Sequence, residues 1–373
     1  MEDCSVYVGL DVHKDTIAVA VAGPGREEPV YRGPIRNDRA SWRRLVRQLS
    51  PNGERLSFCY EAGPCGDGLY RELVALGHAC VVVAPSLIPR RPGDRVKTDR
   101  RDALMLARLH RSGELTAVWV PDAEQEAMRD LVRAREDLKG VELRMRQRLS
   151  AFLLRHERVY RAGRSRWTQA HARWLEAQAF DHPAQQIVFQ EYVDAVQDAG
   201  RRIAGLDAQI RAALASWSLR PVAEAMIALR GVDVLTAVTV LAELGDLTRF
   251  DHPRQLMGFL GLVPGEYSSG PRRRLGAITK TGNGHVRRVL IEAAWSYRFP
   301  ARKTAHLRRK AADVPPAVQA IAWDAQKRLC GRYRKLSLAG KPQCKVTMAI
   351  ARELAGFLWA IARAATHPAA AAT

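Results

Sequence analysis

The chain contains no run of 18 or more apolar residues, so the sequence offers no candidate membrane-spanning helix. Its first residues, MEDCSVYVGLDVHK, lack a basic stretch followed by an apolar one, and no secretory leader is expected. Cysteine is scarce: the six (Cys4, Cys59, Cys65, Cys80, Cys330, Cys344) show neither CxxC pairing nor disulfide-scaffold density, which points to free thiols in a reducing cytoplasm. There is no GxxxxGK[ST] loop, no zinc-finger spacing and no RNP signature. ATP-driven phosphate chemistry and the common autonomous base readers are therefore not expected. Acidic residues are in deficit, 39 against 59 Lys and Arg, for a formal charge of +20. What is present is ordinary globular material, 47% hydrophobic and 26% charged over 373 residues, enough for two or three domains.

The positive charge is concentrated. Between Asp251 and Ile350 there are 20 Lys or Arg and 5 Asp or Glu, so +15 of the +20 falls in this stretch. The clusters Arg272–Arg274, Arg308–Lys310 and Arg332–Lys335 lie within it. A field of this kind draws polyanions and releases their counterions, and nucleic acid is the expected partner. An anionic membrane surface is the poorer fit, because the clusters lack a strong adjoining apolar helix face. A solubilising surface is the plainest alternative.

Along the chain, Val6–Val12 and Thr16–Ala22 are β-rich runs around a polar HKD turn, which predicts a hairpin. Ser57–Glu61 and Ala79–Ala84 predict further strands, with helical spacing over Asp67–Leu76 between them and again over Asp99–Arg111. Alternating strands and helices argue an α/β layer fold for residues 1–121. In 122–218 the strands stop. Leu131, Leu138, Met145 and Phe152, then Phe189, Val196, Ile203 and Ile210, recur every seven residues, which predicts two long helices in a coiled-coil hairpin turning over Arg161–Pro183. An internal bundle would read the same way. Residues 219–366 read as mainly helical, with two helices around a Gly-containing turn in Ile227–Phe250, a basic loop over Gly261–Gly284 and helix again over Gly284–Trp295. Residues 367–373 read as a frayed tail.

Four carboxylates stand out. Asp11 ends the first strand and Glu61 a later one, and sites in α/β sheets form beyond the carboxyl ends of strands. Asp99 and Asp102 are three apart on a helix and share a face. Four carboxylates together demand cations, and oxygen ligands favour Mg2+ or Mn2+, two of which, about 3.5–4 Å apart, would clamp an in-line phosphoryl displacement. Individually, each carboxylate also reads as a helix cap or a solvated surface group.

With these residues in view, GLDVHK around Asp11, YEAGP around Glu61 and KTDRRDA around Asp99 and Asp102 resemble the DEDD motif of the "IS one-ten" family of insertion-sequence transposases, described as bridge-RNA-guided recombinases. Independently, Gly261–Leu290 (GLVPGEYSSGPRRRLGAITKTGNGHVRRVL) resembles that family's C-terminal transposase domain. The resemblance runs over nearly the whole chain, in order. It implies a RuvC-like, RNase H-type N-terminal domain with Asp11, Glu61, Asp99 and Asp102 as the metal-binding tetrad. It also implies a serine nucleophile within Tyr267-Ser268-Ser269-Gly270, Ser269 being the chosen position and Ser268 the alternative. Implied partners are donor and target DNA, an element-encoded guide RNA and further copies of the chain in a tetramer, a dimer of dimers. The setting would be the cytoplasm of a bacterial or archaeal cell, at the nucleoid when acting. Arg272, Arg273, Arg274, Lys280, Arg287 and Arg288 are the expected nucleic-acid contacts, by charge and by closeness to the serine.

Three rivals remain at this level. A metal-dependent hydrolytic nuclease or Holliday-junction resolvase would use the tetrad with water and leave no covalent intermediate. A non-enzymatic nucleic-acid binder would use neither tetrad nor serine. A basic structural oligomer built on the heptad helices gives no reason for the two motifs to occur together.

Overall fold

The computed structural model describes residues 6–89, 98–163, 165–270, 272 and 274–366. Arg273 and the expected tail over 367–373 lie outside the described residues, as does Cys4. The chain forms two compact units, Met1–Asp122 and Ala123–Thr373.

The first unit is a five-stranded mixed sheet with helices. In chain order it comprises β1 (Val6–Val12), β2 (Thr16–Ala22), β3 (Val30–Arg36), α1 (Arg39–Leu49), β4 (Leu56–Glu61), α2 (Gly68–Ala75), β5 (Ala79–Val83) and α3 (Asp99–Arg111). The strand order is β3-β2-β1-β4-β5. The β1–β2 hairpin is antiparallel as expected, β3 extends it antiparallel, and β4 and β5 run parallel to β1. β3 and α1 were not foreseen. β3 lies at the sheet edge and carries Pro34 and a bulge between Val19 and Ala20 of its partner, so it lacks a regular apolar signal.

Strand parity divides the sheet into two faces. Val8, Leu10, Phe58 and Tyr60 share one core with Leu45 and Val46 of α1 and Leu69 and Leu73 of α2. The other face is lined by small residues, Ala18, Ala20 and Ala22, against Ala103 and Ala107 of α3. Gly9 sits on this face. A Cβ there would stand 2.4 Å from both the Ala103 carbonyl oxygen and the Ala107 nitrogen, so only glycine lets α3 lie this close to β1.

The second unit is mostly helical: α4 (Ala123–Arg155), α5 (Gln169–Glu176), α6 (Pro183–Leu214), α7 (Arg220–Ile227), α8 (Val234–Leu244), α9 (Pro253–Phe259), the short strands β6 (Pro264–Glu266) and β7 (Leu275–Ile278), α10 (Gly284–Ala294), α11 (Ala305–Lys310), α12 (Pro316–Leu338) and α13 (Gln343–Thr366). α4 and α6 are the two long helices expected, and they lie antiparallel: Arg135 pairs with Asp207, and the rings of Phe152 and Tyr192 meet at 5.8 Å. Of the heptad residues, Phe152, Phe189, Ile203 and Ile210 are buried, while Leu131, Leu138, Met145 and Val196 are only half-buried. Polar groups enter the seam too: Glu142 is buried between Lys139 and Arg146. The stretch read as the turn of this helix pair contains a helix of its own, α5.

The base of the helix pair joins the main core, since Met128, Val132, Ile210 and Leu214 pack in one cluster with residues of α7, α8, α10, α12 and α13. The Gly-containing turn falls between α7 and α8, with Gly231 at φ +82°, so the first helix of that pair ends where the sequence suggested it begins. Likewise the basic loop after Gly261 is no plain loop. β6 and β7 pair across it as an antiparallel hairpin.

Candidate metal centre and serine hairpin

The carboxylates are placed by the α3 face of the sheet. Asp11 is two residues beyond Gly9 and Glu61 two beyond Cys59, so both follow the face on which α3 packs. Two contacts on β4 fix the direction of that packing. The Ser57 hydroxyl and His110 Nε2 are 2.7 Å apart, and Cys59 Sγ donates to the Leu106 carbonyl at 3.4 Å. Two strand residues advance about 6.7 Å, and four helix residues about 6 Å. Continuing the ladder by one step brings Glu61 level with the first turn of α3, where Asp99 and Asp102 lie. On β1, Tyr7 meets the His110 ring and Gly9 meets Ala103 and Ala107, which carries Asp11 to the same end.

α3 starts where it does because Thr98 caps it, its hydroxyl accepting from the Arg101 amide. The cap is thus not Asp99, whose carboxylate is free for other work. One donor atom each from Asp11, His13 and Asp99 lie within 4.8 Å of one another. His13 Nε2 stands 3.3 Å from Asp11 Oδ2 and 3.5 Å from Asp99 Oδ1. Glu61 and Asp102 contribute no atom to that tight group, but Asp102 acts on Asp11. Burial pushes the Asp11 carboxyl up from its ordinary value, and the charges of Asp102 and Asp99 push the same way against the opposing pull of His13. A carboxylate crowded by two others is what a divalent cation relieves, and the donor set, oxygen with one imidazole nitrogen, suits a divalent ion. Asp11 is the most enclosed of the three, while His13 and Asp99 are more than half exposed and leave the group open to a large substrate.

His13 was missed in the sequence, where it reads only as part of the HKD turn. Its position two residues after a strand-ending Asp was the available signal.

The serines occupy the tip of the β6–β7 hairpin. Tyr267 donates its amide to the Arg274 carbonyl, and Ser269 and Arg272 exchange both backbone hydrogen bonds at 3.3 Å. Ser268 and Ser269 are exposed, Gly270 turns at φ +56°, and the Ser268 hydroxyl donates to Glu266 Oε1 at 2.7 Å. Arg272, Arg274 and Lys280 are exposed as well. Arg287 is turned inward, donating to the carbonyls of Thr281 at 2.5 Å and Leu260 at 3.0 Å. Arg288 pairs with Glu136 and Glu292.

The base of the hairpin is locked. Gly282, at φ +67°, has room for no Cβ, which would fall 1.9 Å from the Phe259 carbonyl oxygen. Beside it, Asn283 caps α10 and donates to Glu243 at 2.6 Å. Glu243 is almost wholly buried. Burial alone would raise its carboxyl, but the hydrogen bonds of Arg133 (2.7 and 2.9 Å) and Asn283, with the charges of Arg133 and Arg129, hold it below the ordinary carboxylate range.

A sheet that brings Asp11 at a strand end beside Asp99 and Asp102, in a chain carrying a strongly basic helical unit, suits a class: enzymes acting on nucleic-acid phosphates. Comparison with known proteins narrows it. Residues 8–157 match the family model DEDD_Tnp_IS110, a transposase, and residues 223–309 that of the transposase IS116/IS110/IS902 family. The chain is 52% identical over 360 residues to a Sinorhizobium fredii protein named as a transposase, y4qE, covering 96% of this chain and 89% of that one. It is 33% identical over 333 residues to the transposase for insertion sequence element IS1533 of Leptospira borgpetersenii, covering 89% and 96% respectively. The chain belongs to the IS110 family of DEDD transposases and is a DNA-processing enzyme. The mixed N-terminal sheet fits the RuvC-like domain that the resemblance implied, and the family suggests use of a divalent metal. Among the described residues no helix is long and apolar enough to cross a membrane.

Proposed function

We propose that the protein catalyses RNA-guided DNA strand exchange for its insertion sequence, through a serine nucleophile assisted by a divalent cation. The observation that carries this reading is the gathering of Asp11, Asp99 and Asp102 at one end of the sheet in a chain of the IS110 family. Asp11, Glu61, Asp99 and Asp102 hold the ion, Mg2+ or Mn2+, with His13 beside them. When bound, it supplies Lewis-acid polarisation of the scissile phosphate. Ser269 loses its proton to a carboxylate and its oxygen bonds to phosphorus, while the phosphorus–oxygen bond to one DNA hydroxyl breaks and that hydroxyl takes up a proton. A hydroxyl of another strand then attacks the phosphoseryl linkage and frees the serine. The phosphodiester energy is retained, so no ATP enters. Ser268, already hydrogen-bonded to Glu266, is the alternative nucleophile.

Arg272, Arg273, Arg274 and Lys280 grip phosphate oxygens, and Arg287 and Arg288 join them only by exchanging their present partners, backbone carbonyls for Arg287 and Glu136 and Glu292 for Arg288. Sequence choice comes from pairing with the guide RNA, which leaves the protein to hold backbones, as its charge supports. In this reading residues 1–121 carry the tetrad, 122–218 form a coiled coil joining subunits of a tetramer, and 219–366 carry the serine.

The test uses the purified protein, Mg2+, labelled DNA bearing the element ends and target, and RNA transcribed from the element's flanks. A protease-sensitive protein–DNA adduct should form only with RNA and should vanish in Ser269→Ala and Asp11→Ala. An adduct lost in Ser268→Ala but kept in Ser269→Ala moves the nucleophile one residue. Clean cleavage without adduct, surviving Ser269→Ala but not Asp11→Ala, replaces this reading with the hydrolytic nuclease.

A further inference from the structure

A cavity of about 390 Å³ opens between the far end of α4, the segment leading into α5, and α6. It is remote in sequence from both motifs, and its volume is in the range of small-molecule sites. Its walls include Leu149 and Phe189, and its rim includes Arg146, Trp167, Gln190 and Gln197.

Three features point to an occupant. Trp167 is half-buried and holds a left-handed backbone, φ +64°, unusual for a bulky residue, with the Arg146 guanidinium 4.9 Å from its ring centre. His171, 3% exposed, lines the cavity and meets Trp167 edge-on at 5.0 Å. Its Nδ1 is buried without a hydrogen-bond partner, and burial lowers its affinity for a proton. A buried ring nitrogen left unsatisfied is uncommon and calls for a polar group from elsewhere. The same imidazole also borders a second cavity, of about 160 Å³, with Tyr160 and Trp174. Finally, the chain from Arg144 to Arg173 holds nine arginines and one acidic residue, a second basic block separate from that of the C-terminal region.

A flat ligand with hydrogen-bonding edges, attached to a polyanion, meets all three requirements. Glutamine side chains each offer a donor and an acceptor to such edges, an indole face offers stacking, and the arginines bind the chain that carries the ring. We infer that this cavity receives a single unpaired nucleobase, extruded from the nucleic acid the enzyme holds. The inference goes beyond the strand-exchange reading and does not use the tetrad or the serine. It requires only that the protein bind nucleic acid.

The test uses the full chain and two photoreactive probes of matched sequence, an RNA hairpin with 4-thiouridine in a one-nucleotide bulge and a DNA hairpin with 4-thiothymidine there. Crosslinks should map to Trp167–Gln178 or Gln186–Gln197. Crosslinking from the RNA probe alone assigns the base to a guide strand, and from the DNA probe alone to a substrate strand. In parallel, Trp167→Ala should weaken binding of the bulged probe about tenfold or more while leaving the fully paired hairpin unchanged, and Trp167→Phe should restore it. Crosslinks that map elsewhere in the wild-type complex overturn the inference even if Trp167→Ala fails to fold, as does equal weakening of bulged and paired probes. Asp11→Ala must leave the bulge preference intact, so failure of the catalytic reading and failure of this one are told apart.

Discussion

The two motifs of this enzyme are held in opposite ways. The carboxylates are fixed by a core: Asp11 and Glu61 continue strands that are buried on both faces, and α3 is seated on β1 by the missing Cβ of Gly9. The serines stand on an exposed hairpin tip, and only its base is anchored, through Gly282 and the Asn283–Glu243–Arg133 chain. The contrast follows from what each must do. Mutually repelling carboxylates need a rigid frame to stay together before a cation arrives, and packing supplies it, with His13 set between Asp11 and Asp99. In the proposed reading the serine is a nucleophile that must reach a phosphate, and it gains from projecting beyond the core. Positions near the carboxylates should therefore link stability to function, whereas tip positions should not.

The largest effect on stability is expected at the hairpin base. Glu243→Ala takes a buried carboxylate from Arg129, Arg133 and Asn283, and because Arg133 is 46% exposed the break costs about 3 kcal/mol, the low end for a buried pair. Denaturant unfolding should show this loss, whereas Ser269→Ala at the tip should stay within about 0.5 kcal/mol of wild type. Equal losses from the two variants would remove the distinction between base and tip. Glu243→Gln, which keeps an oxygen for Arg133, should fall between them.

Gly9→Ala comes next. The added methyl group meets α3 backbone on both sides, and overpacking of this kind costs about 1–3 kcal/mol. Its sharper consequence is positional. Displacing α3 moves Asp99 and Asp102 away from Asp11, so the rise in melting temperature expected of the wild type with Mg2+ or Mn2+ should shrink or disappear. A variant that is destabilised yet keeps the full cation-induced rise would show that the carboxylates do not depend on this contact.

How far each site is legible in the sequence follows the same contrast. The β1–β2 hairpin, β4, β5 and α3 are readable because their cores impose clear periodicity and Thr98 marks a helix start. Asp11 and Glu61 can be placed because parity from Gly9 and Cys59 carries them to one face. β3 is hidden by Pro34 and an edge position, and α1 by its arginines, which leave only Leu45 and Val46 buried. The β6–β7 hairpin gives almost no signal, since its residues are exposed or half-buried and backbone bonds alone define it. His13 is easily passed over for another reason: a turn accounts for it until the approach of α3 puts Asp99 beside it. The polar steps in the α4–α6 seam, Glu142 and the Arg135–Asp207 pair, interrupt a heptad pattern that looks continuous when apolar positions alone are counted.

The smallest expected effect tests the ladder that aligns α3 with β4. His110 lies at the far end of that ladder from the carboxylates, against Ser57, and burial pushes its imidazole down to about 4 despite the opposing hydrogen bond from Ser57. An unfolded histidine takes up its proton near 6.5. Between these two values the unfolded chain binds a proton that the folded one refuses, so stability falls as the pH is lowered from about 6.5 towards 4 and is flat in this respect above 6.5. The slope from one such group is at most about 1.4 kcal/mol per pH unit. Burial lowers His78 and His171 as well, so His110→Gln should reduce the slope without abolishing it. Because Cys59 and Gly9 hold α3 between this histidine and Asp102, the cation-induced rise in melting temperature at neutral pH should survive His110→Gln. Its loss there, together with its persistence in Gly9→Ala, would mean that the far end of α3, and not its seat on β1, sets the carboxylates in place.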